Sequence, residues 1–338
     1  MQKNSPPPTA LSTEPVVAYI IVSWNNKDIL DECIESIFEQ KNVQKHVLLV
    51  DNDSKDGTAE YITNTYPKVF VMAQEANHGF AKGNNIGIKE ALKDPSVEFV
   101  VLLNSDARLA DNWTETLARQ ARLKVRTATM QSITLDYYDH GIMDSTHVYL
   151  STIGQATQGS FRQPIAFGSD VAPQKVFGCN AAAMLITRKF IEAQPFEDFF
   201  DETMFMYLED VDVATRATVM GWDNYVVPGT RAYHMGSASS GKNPGFSLYM
   251  TFRNNLGLMI KNLPFPILMK VILMIPRSDR ASIRHLKRIG KSEGVPAILK
   301  GRAASLLYIP IFLMKRHTLK KSRKVDTQYL WHLMRKGY

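Results

Sequence analysis

Continuous apolar runs alternate with helically periodic segments along the first third of the chain. The run Val16–Ser23 (VVAYIIVS) is rich in β-branched residues, which is typical of a strand buried on both faces. Apolar residues then recur at helical spacing over Lys27–Gln40, with Asp28 as the expected N-cap. The pattern continues with strands at His46–Asp51, Val69–Met72 and Glu98–Leu103, and helices at Gly57–Tyr66 and Asn85–Leu92. This alternation predicts an α/β layer built on a mostly parallel sheet.

The pattern is less regular beyond residue 110. Helices are predicted at Asn112–Lys124 and Met204–Met220, and strands at Ala128–Leu135 and Lys175–Thr187. The segment Ser151–Pro173 is rich in Gly, Ser, Gln and Pro, which indicates a loop or flap. Asp212 and Arg216 are spaced i,i+4, and we expect a surface ion pair of small energetic weight.

The two ends of the chain differ from its centre. Residues 1–15 are polar and proline-rich and lack the apolar core of a signal peptide, which predicts a disordered leader. Residues 1–260 hold 22 Lys/Arg and 30 Asp/Glu, a balance of −8, whereas residues 261–338 hold 18 Lys/Arg and 3 Asp/Glu, a balance of +15. No run of about 18 apolar residues occurs, so no membrane-spanning helix is expected.

The basic tail predicts an anionic partner, either lipid headgroups or nucleic acid. It carries no recognisable nucleic-acid module, and its basic clusters are interleaved with apolar runs, which favours an anionic membrane surface. The two cysteines, Cys33 and Cys179, are far apart and form neither a disulfide framework nor a zinc pattern. That cysteine content suits a reducing cytoplasm.

Three residue pairs that include polar side chains lie at the carboxyl ends of predicted strands. They are Trp24-Asn25, Asp51-Asn52 and Ser105-Asp106. Taken singly, Asp51 and Asp106 are most simply explained as turn formers or helix caps. Ligands of open α/β sheets, however, bind at the carboxyl ends of the strands. Together these residues predict a polar cluster of the kind that holds a divalent metal and a diphosphate.

Two further signals lie in the second half of the chain. Glu209 and Asp210 form an acid pair between apolar neighbours, and whichever faces the apolar side has a raised pKa, which suits a general base. His234 follows a strand-like run and can hold a metal, although a structural histidine is the ordinary alternative.

The segment Asn77–Gly87 (NHGFAKGNNIG) contains three glycines and three asparagines. Such a loop lets the backbone approach a ligand and present N–H groups to phosphate. It matches neither the Walker loop nor GxGxxG, and a plain turn is an equal alternative.

Six segments in this order resemble the family 2 glycosyltransferases, particularly the bacterial rhamnosyltransferase-like branch. They are IIVSWNNKDILDECIESI, LLVDNDSKDGT, NHGFAKGNNIGI, VVLLNSDA, FDETMFMYLEDVDVATRATVMGW and VPGTRAYHMGSAS, followed by the matching YMTFRNNLGLMIK. The resemblance implies a GT-A fold, a Rossmann-like, mostly parallel sheet flanked by helices. The catalytic domain is then 16–262, with a nucleotide-binding half at 16–110 and an acceptor half at 111–262, and a basic helical extension follows at 263–338.

The same resemblance implies roles for individual residues. The nucleotide-sugar contacts are Ser23, Trp24, Asn25, Asp51, Asn52, Gly83, Asn85, Ser105, Asp106 and Arg253. Asp210 corresponds to the catalytic base, with Glu209 as its neighbour, while Asp106 and His234 correspond to the ligands of Mg²⁺ or Mn²⁺. The metal motif here reads Asn104-Ser105-Asp106, so its first carboxylate is missing and the protein supplies less charge to the metal.

The resemblance therefore implies a metal-dependent inverting glycosyltransferase that acts in cell-wall or polysaccharide biosynthesis. The expected reaction moves L-rhamnose from dTDP-L-rhamnose to a lipid-linked or polysaccharide glycan. We expect a cytoplasmic protein, peripheral on the inner face of the cell membrane, with no nucleic-acid partner. The alternatives are a UDP-hexose or UDP-galactofuranose transferase of the same fold, or a catalytically silent sugar-nucleotide-binding protein.

Overall fold

The computed structural model describes residues 14–165, 168, 171–236 and 244–336. The predicted leader, residues 1–15, lies almost entirely outside the described residues. The strands are β1 (Val16–Ser23), β2 (Gln44–Asp51), β3 (Val69–Ala73), β4 (Val97–Leu103), β5 (Ala107–Leu109), β6 (Thr127–Asp136), β7 (Ile142–Ser145), β8 (His147–Leu150), β9 (Ala156–Gly159), β10 (Gln163–Pro164), β11 (Gln174–Val176), β12 (Ala183–Thr187) and β13 (Asp223–His234). The helices are α1 (Leu30–Phe38), α2 (Thr58–Thr65), α3 (Gly79–Ala91), α4 (Trp113–Arg122), α5 (Arg188–Glu192), α6 (Glu209–Val219), α7 (Pro244–Asn262), α8 (Phe265–Arg288), α9 (Val295–Leu307), α10 (Ile309–Lys320) and α11 (Thr327–Lys336).

Eleven of the strands in the described ranges form one mixed sheet with a parallel core. Its main path runs β10-β7-β6-β12-β4-β1-β2-β3, and β13 joins β6, β5 and β11. Strands β1, β2, β3 and β4 are mutually parallel where they pair, and Ser23 at the end of β1 lies opposite Asp51 at the end of β2. The predicted mostly parallel layer is therefore confirmed, and the carboxyl ends of its strands meet at one edge.

Helices cover both faces of this sheet. Successive apolar side chains of β1 point to opposite faces, so both faces must be buried. Val17, Tyr19 and Ile21 belong to one buried cluster with α1, α2 and α4. Ala18 and Ile20 belong to a second cluster with α3, α5 and α6. This two-sided burial explains why the sequence of β1 is continuously apolar rather than alternating.

The glycine-rich segment is a helix in the structure, not a loop. Helix α3 begins at Gly79, ahead of the predicted start at Asn85. A Cβ atom on Gly83 would lie 2.8 Å from Val22 Cγ1, so this glycine allows α3 to pack closely against β1. From Lys82 onward the backbone N–H groups are bonded within the helix, while the N–H groups of Gly79 and Ala81 donate to Asn77 Oδ1 and to the Phe205 carbonyl.

Four other predicted features differ in the structure. Asp28 lies inside a short 3₁₀ turn and caps neither that turn nor α1. The predicted flap Ser151–Pro173 contains β9 and β10, and the run Lys175–Thr187 forms two separate strands, β11 and β12. The helix predicted from Met204 begins only at Glu209, because the intervening backbone is not helical.

The ion pair of Asp212 and Arg216 is buried, which corrects the prediction of a surface pair. Both side chains are almost fully inaccessible, and Arg216 Nε donates to Asp212 over 3.0 Å. Lys261 Nζ lies 2.7 Å from the carboxylates of both Asp212 and Asp201. Asn262 Nδ2 donates to Asp212 Oδ1 over 2.7 Å. The start of α6 is therefore tied to the end of α7 by a buried charged network.

A hydrophobic cluster joins residues on both sides of position 262. It includes Met204 and Val211 near the start of α6, Leu258 in α7, and Phe312 and Leu330 in α10 and α11. The basic C-terminal helices are thus packed on the preceding region through a shared core.

In the part of the chain that the structure describes, no single helix has the length and apolar character of a membrane span. One bent pair, Ser292–Leu307 with Ile309–Lys320, meets that criterion jointly, with an angle of 61° between its halves.

Candidate active site

A pocket of about 460 Å³ opens at the carboxyl ends of β1 and β4. Of the predicted site residues, those that line it are Ser23, Trp24, Asn52, Ser105, Asp106, Glu209, Asp210 and His234. The remaining ones, which do not line it, are Asn25, Asp51, Gly83, Asn85 and Arg253. The sheet topology therefore brings together side chains that are more than two hundred residues apart in sequence.

One end of the pocket carries buried polar atoms without a hydrogen-bond partner. They are Ser23 Oγ and Asn52 Oδ1; the neighbouring Asp51 Oδ1 is also unpartnered but does not line the pocket. Unsatisfied buried acceptors are costly, and such a group at a pocket wall indicates a ligand that donates to it. Trp24 beside them is 44% exposed and offers an aromatic face. This end of the pocket can therefore bind a polar heterocycle with hydroxyl groups, such as a nucleoside.

Three predicted contact residues support the pocket from behind. Asn25 adopts a left-handed conformation (φ 53°), and its Oδ1 accepts from the Lys55 backbone N–H over 2.7 Å. Gly83 lies under Val22 and Asn52, both of which line the pocket. Asn85 holds the chain at Phe200, since its Oδ1 accepts from the Phe200 N–H over 2.8 Å.

His234 lies between two carboxylates in the same pocket. Strand β13 pairs with β5 so that His234 is opposite Ala107, which places its ring next to Asp106. His234 Nε2 is 3.3 Å from Asp106 Oδ1, and Nδ1 is 2.9 Å from Asp144 Oδ2. Burial lowers the pKa of His234, but the hydrogen bonds with Asp106 and Asp144 outweigh burial and raise that pKa to about 10.

Asp144 is a site residue that the sequence reading missed. It lies on β7, in a stretch without a recognisable motif, and reaches His234 only through the folding of the sheet. A carboxylate that accepts from Nδ1 orients the ring, and a metal at Nε2 would replace the proton that the raised pKa places there. The arrangement Asp144–His234 thus resembles the outer support of a metal site, with Nε2 and Asp106 on its inner side.

The Asp106–His234 pair fits a divalent cation in its donor atoms, one carboxylate oxygen and one imidazole nitrogen. Within the described ranges, no group of three or more His, Cys, Asp or Glu side chains has an arrangement that could hold a metal. Two protein ligands leave the other coordination positions to water and to oxygen atoms of a bound substrate, as is usual for magnesium sites that bind phosphates.

The acid pair Glu209-Asp210 lies at the first turn of α6, in the pocket wall. Burial raises the pKa of Asp210 to about 6, although the backbone N–H groups of Val211 and Ala181 lower it. Burial and the Asp210 carboxylate raise the pKa of Glu209 well above its usual value. Asp210 is half-buried whereas Glu209 is only 7% exposed. At neutral pH the accessible Asp210 is therefore mostly ionised, whereas burial disfavours the charged form of Glu209.

The backbone just before this pair has an unusual conformation. Phe205, Tyr207 and Leu208 all have positive φ angles, of 61°, 70° and 70°. Such conformations cost about 1–3 kcal/mol each for residues other than glycine and persist only where the surroundings hold them. We call residues 205–208 the catalytic loop, because Met206, Tyr207 and Leu208 line the pocket and the segment leads directly into Glu209 and Asp210.

Helix α7 holds the catalytic loop by side-chain donors. Asn254 Nδ2 donates to the carbonyl oxygens of Met204, Met206 and Tyr207 over 2.9, 2.9 and 2.8 Å. Arg253 donates to the Met204 carbonyl over 2.8 Å. The structure thus places Arg253 behind the loop and not in the pocket wall, so it acts on the site through the backbone.

The wall formed by the middle of the chain was not anticipated from sequence. Asp136, Asp144, Gln158, Phe161 and Arg162 all line the pocket. Arg162 forms an ion pair with Asp136 over 2.5 Å. These residues come from β6, β7, β9 and the turn that follows β9, in the segment that the sequence pattern leaves without a clear assignment.

The comparisons with known proteins agree with this geometry. The profile of a family described as Glycosyl transferase family 2 matches residues 19–192. A protein of Mycobacterium tuberculosis (strain ATCC 25618 / H37Rv), N-acetylglucosaminyl-diphospho-decaprenol L-rhamnosyltransferase, is 27% identical over 249 residues, which cover 69% of this chain and 80% of the relative. Glycosyltransferase GlyG of Streptococcus pneumoniae serotype 4 is 26% identical over 141 residues, 40% of this chain and 44% of the relative.

Solved structures show the fold class. GalNAc-T7 with UDP, GalNAc and Mn²⁺ superposes with a TM-score of 0.57 at 15% identity, covering 74% of this chain. This chain spans only 48% of the length of that structure. Mannosyltransferase PcManGT from Pyrobaculum calidifontis, with GDP-Man and Mn²⁺, superposes with a TM-score of 0.53 at 16% identity, covering 92% of this chain and 86% of the neighbour. The fold is therefore the GT-A fold, as expected.

Proposed function

We propose a specific reaction for this chain, which belongs to glycosyl transferase family 2, in its rhamnosyltransferase-like part, and is a glycosyltransferase. It transfers L-rhamnose from dTDP-L-rhamnose, with inversion, to a hydroxyl group of a lipid-linked or polysaccharide glycan. The mycobacterial rhamnosyltransferase supports this donor and acceptor class. UDP-hexoses and UDP-galactofuranose are the alternative donors.

The observation that carries the proposal is the Asp210 carboxylate, accessible in the pocket wall with a pKa of about 6. A base with this pKa is ionised at neutral pH and still accepts a proton effectively. In the proposed step the acceptor oxygen forms a bond to the anomeric carbon while Asp210 takes its proton. The bond from that carbon to the diphosphate breaks, and the nucleoside diphosphate leaves on the opposite side.

The donor is held by the strand ends. The unpartnered oxygens of Ser23 and Asn52, which line the pocket, are suited to accept hydrogen bonds from the base and ribose. Asp106 and His234 would hold Mg²⁺ or Mn²⁺, which when bound supplies positive charge to the leaving diphosphate. Asp144 orients the imidazole, and both described GT-A neighbours were solved with Mn²⁺.

A panel of sugar nucleotides tests the proposal. With Mn²⁺ present, dTDP-L-rhamnose should raise the melting temperature more than UDP-glucose, UDP-galactofuranose or GDP-mannose does, because a ligand stabilises the state that binds it. Transfer to a glycan acceptor is then followed by release of nucleoside diphosphate, and the anomeric configuration of the product is read by NMR. A retained anomeric configuration would contradict the inverting mechanism. A larger rise in melting temperature with a UDP sugar would identify that UDP sugar as the donor instead of dTDP-L-rhamnose.

We further propose that the partner at the acceptor side is membrane-bound, so that the enzyme works on an anionic membrane surface. The basic excess of residues 261–338 supports this assignment.

A further inference from the structure

Helices α9 and α10 both pack against α7, and α9 is also tied to α8 by the ion pair of Arg302 with Asp279. A Cβ atom on Gly301 of α9 would be 2.4 Å from the Tyr249 carbonyl oxygen, so the two helix backbones are in close contact. A Cβ atom on Gly257 of α7 would be 2.0 Å from the ring of Phe312 in α10. Since both helices pack on α7, their opposite sides face away from the body of the enzyme.

That outward side is apolar, although nothing in the described part of the chain covers it. Five large side chains are between 51% and 79% exposed, at positions that point away from the buried Gly301 and Phe312. They are Leu299, Leu306, Leu307, Leu313 and Met314. Several exposed large apolar side chains on two consecutive helices of a globular enzyme mark an interaction site. We call these five residues, with the lysines described next, the outer surface of α9–α10.

Basic residues flank the apolar ones. Lys300 lies beside Leu299, and Lys320 and Lys321 follow Leu313 and Met314 at the end of α10; all three lysines are exposed. Neither α9 nor α10 contains an Asp or Glu residue. An apolar helical face with lysines at its border is complementary to an anionic lipid surface, in which apolar side chains enter the acyl boundary and lysines meet headgroups.

The inner contacts decide how the helices meet a bilayer. Lys315, on the inner side of α10, donates to Thr203 over 2.8 Å and forms an ion pair with Asp201. Because the helix pair is bent by 61° and bonded to the catalytic domain along its inner side, contact along a membrane surface suits it better than a span. A second copy of this chain is a poor partner for the same surface, because its lysines would meet lysines.

We propose that the outer surface of α9–α10 docks on an anionic lipid bilayer. This inference deepens the membrane partner assigned under the proposed function and rests on it. The same helix, α7, carries α9 and α10 on one side and holds the catalytic loop through Asn254. Docking therefore fixes the catalytic pocket at a set position relative to the lipid surface, where a lipid-linked acceptor is presented.

The test uses the full chain and co-sedimentation with phosphatidylcholine–phosphatidylglycerol vesicles, compared with pure phosphatidylcholine. The charge variant Lys300→Glu/Lys320→Glu/Lys321→Glu should lower partitioning to the anionic vesicles by at least about 100-fold at low salt. Its matched control, Lys41→Glu/Lys68→Glu/Lys189→Glu, makes the same change in net charge at exposed lysines elsewhere. It should lower partitioning by less than about tenfold, because charges outside the contact act on the membrane only through screened long-range electrostatics.

The apolar variant Leu306→Ser/Leu307→Ser should lower partitioning by about 100-fold as well, whereas Leu123→Ser, at an exposed leucine outside this surface, should leave it unchanged. Both variants of the surface should keep the melting temperature and the sugar-nucleotide response of the wild type, which separates failure of this inference from failure of the proposed function.

Three results would overturn the proposal. Equal binding to neutral and anionic vesicles would show that the lysines do not recognise anionic headgroups. Wild-type partitioning of both surface variants would show that the membrane contact lies elsewhere on the protein. A dimer that is lost in the Leu306→Ser/Leu307→Ser variant, with no vesicle binding by the wild type, would make a second copy the occupant.

Discussion

The substitution Asn254→Ala should impair catalysis by releasing the catalytic loop. The amide of Asn254 donates to three backbone carbonyls, of which two belong to residues 206 and 207. Its two N–H groups contribute about 0.5–1.5 kcal/mol each, so their loss should cost about 1–3 kcal/mol of stability. That loss is comparable to the strain of one positive-φ residue in the loop, so the loop should relax.

Relaxation of the loop moves the first turn of α6 and with it Asp210. A displacement of about 1 Å at a reacting group can lower the rate about a hundredfold, so we expect kcat to fall at least tenfold. The assay is steady-state transfer with donor affinity measured separately, together with urea denaturation. Donor affinity should change little, because the nucleoside end of the pocket is built on β1 and β2.

The neighbouring Asn255→Ala is a matched control. Asn255 lies on the same helix, is also buried, and its Nδ2 donates to the single carbonyl of Gly154 over 2.7 Å. It should lose about 1 kcal/mol of stability and keep kcat within about twofold. Asn254→Asp, which keeps the shape but offers no N–H donor, should behave like Asn254→Ala or worse. A wild-type kcat for Asn254→Ala, or full activity of Asn254→Asp, would refute this positioning role.

Three further outcomes follow from the structure. Lys261→Met should lower the free energy of unfolding by at least about 2 kcal/mol, with exposed Lys300→Met as an unaffected control, because it removes one charged hydrogen bond from each of the buried carboxylates Asp201 and Asp212. Burial alone raises the pKa of Asp201, but the ammonium groups of Lys261 and Lys315 hold that pKa below its usual value. The ionised Asp201 therefore stabilises the fold at neutral pH, and urea titrations should show this stabilisation being lost as the pH falls into the acid range. The transfer rate should rise with pH through an apparent pKa of about 6 as Asp210 loses its proton, and a flat profile across about pH 5–8 would contradict this. His234→Ala should weaken Mn²⁺-dependent nucleotide binding measured by calorimetry, whereas full wild-type activity in excess EDTA would exclude a metal role.

The parts of the fold that follow from local pattern were predictable from sequence. Strand β1 was predicted with its observed bounds, Val16–Ser23, because burial on both faces requires a continuous apolar run. The start of α3 was missed because glycines usually end helices, whereas here Gly83 serves close packing against Val22. Tertiary contact overrides local propensity at such a position.

The site was predictable only where motifs carry it. Asp106, Asp210 and His234 were identified through motif order, and the structure places them in one pocket. Asp144 acts through a contact made between distant segments, which no local pattern of a single sequence encodes. The buried network of Asp212 was taken for a surface pair for the same reason, because burial depends on the packing of α7 over α6.

The most direct test of the account compares Asp210→Asn with Glu209→Gln in transfer from dTDP-L-rhamnose. If Asp210 is the base, Asp210→Asn should bind the donor like the wild type and lose transfer by at least about a hundredfold. Glu209→Gln should retain most activity, because Glu209 is almost fully buried and burial raises its pKa well above the usual value, which disfavours the charged form. Near-normal turnover of Asp210→Asn would contradict the account, and loss of activity in Glu209→Gln alone would transfer the role of base to its neighbour.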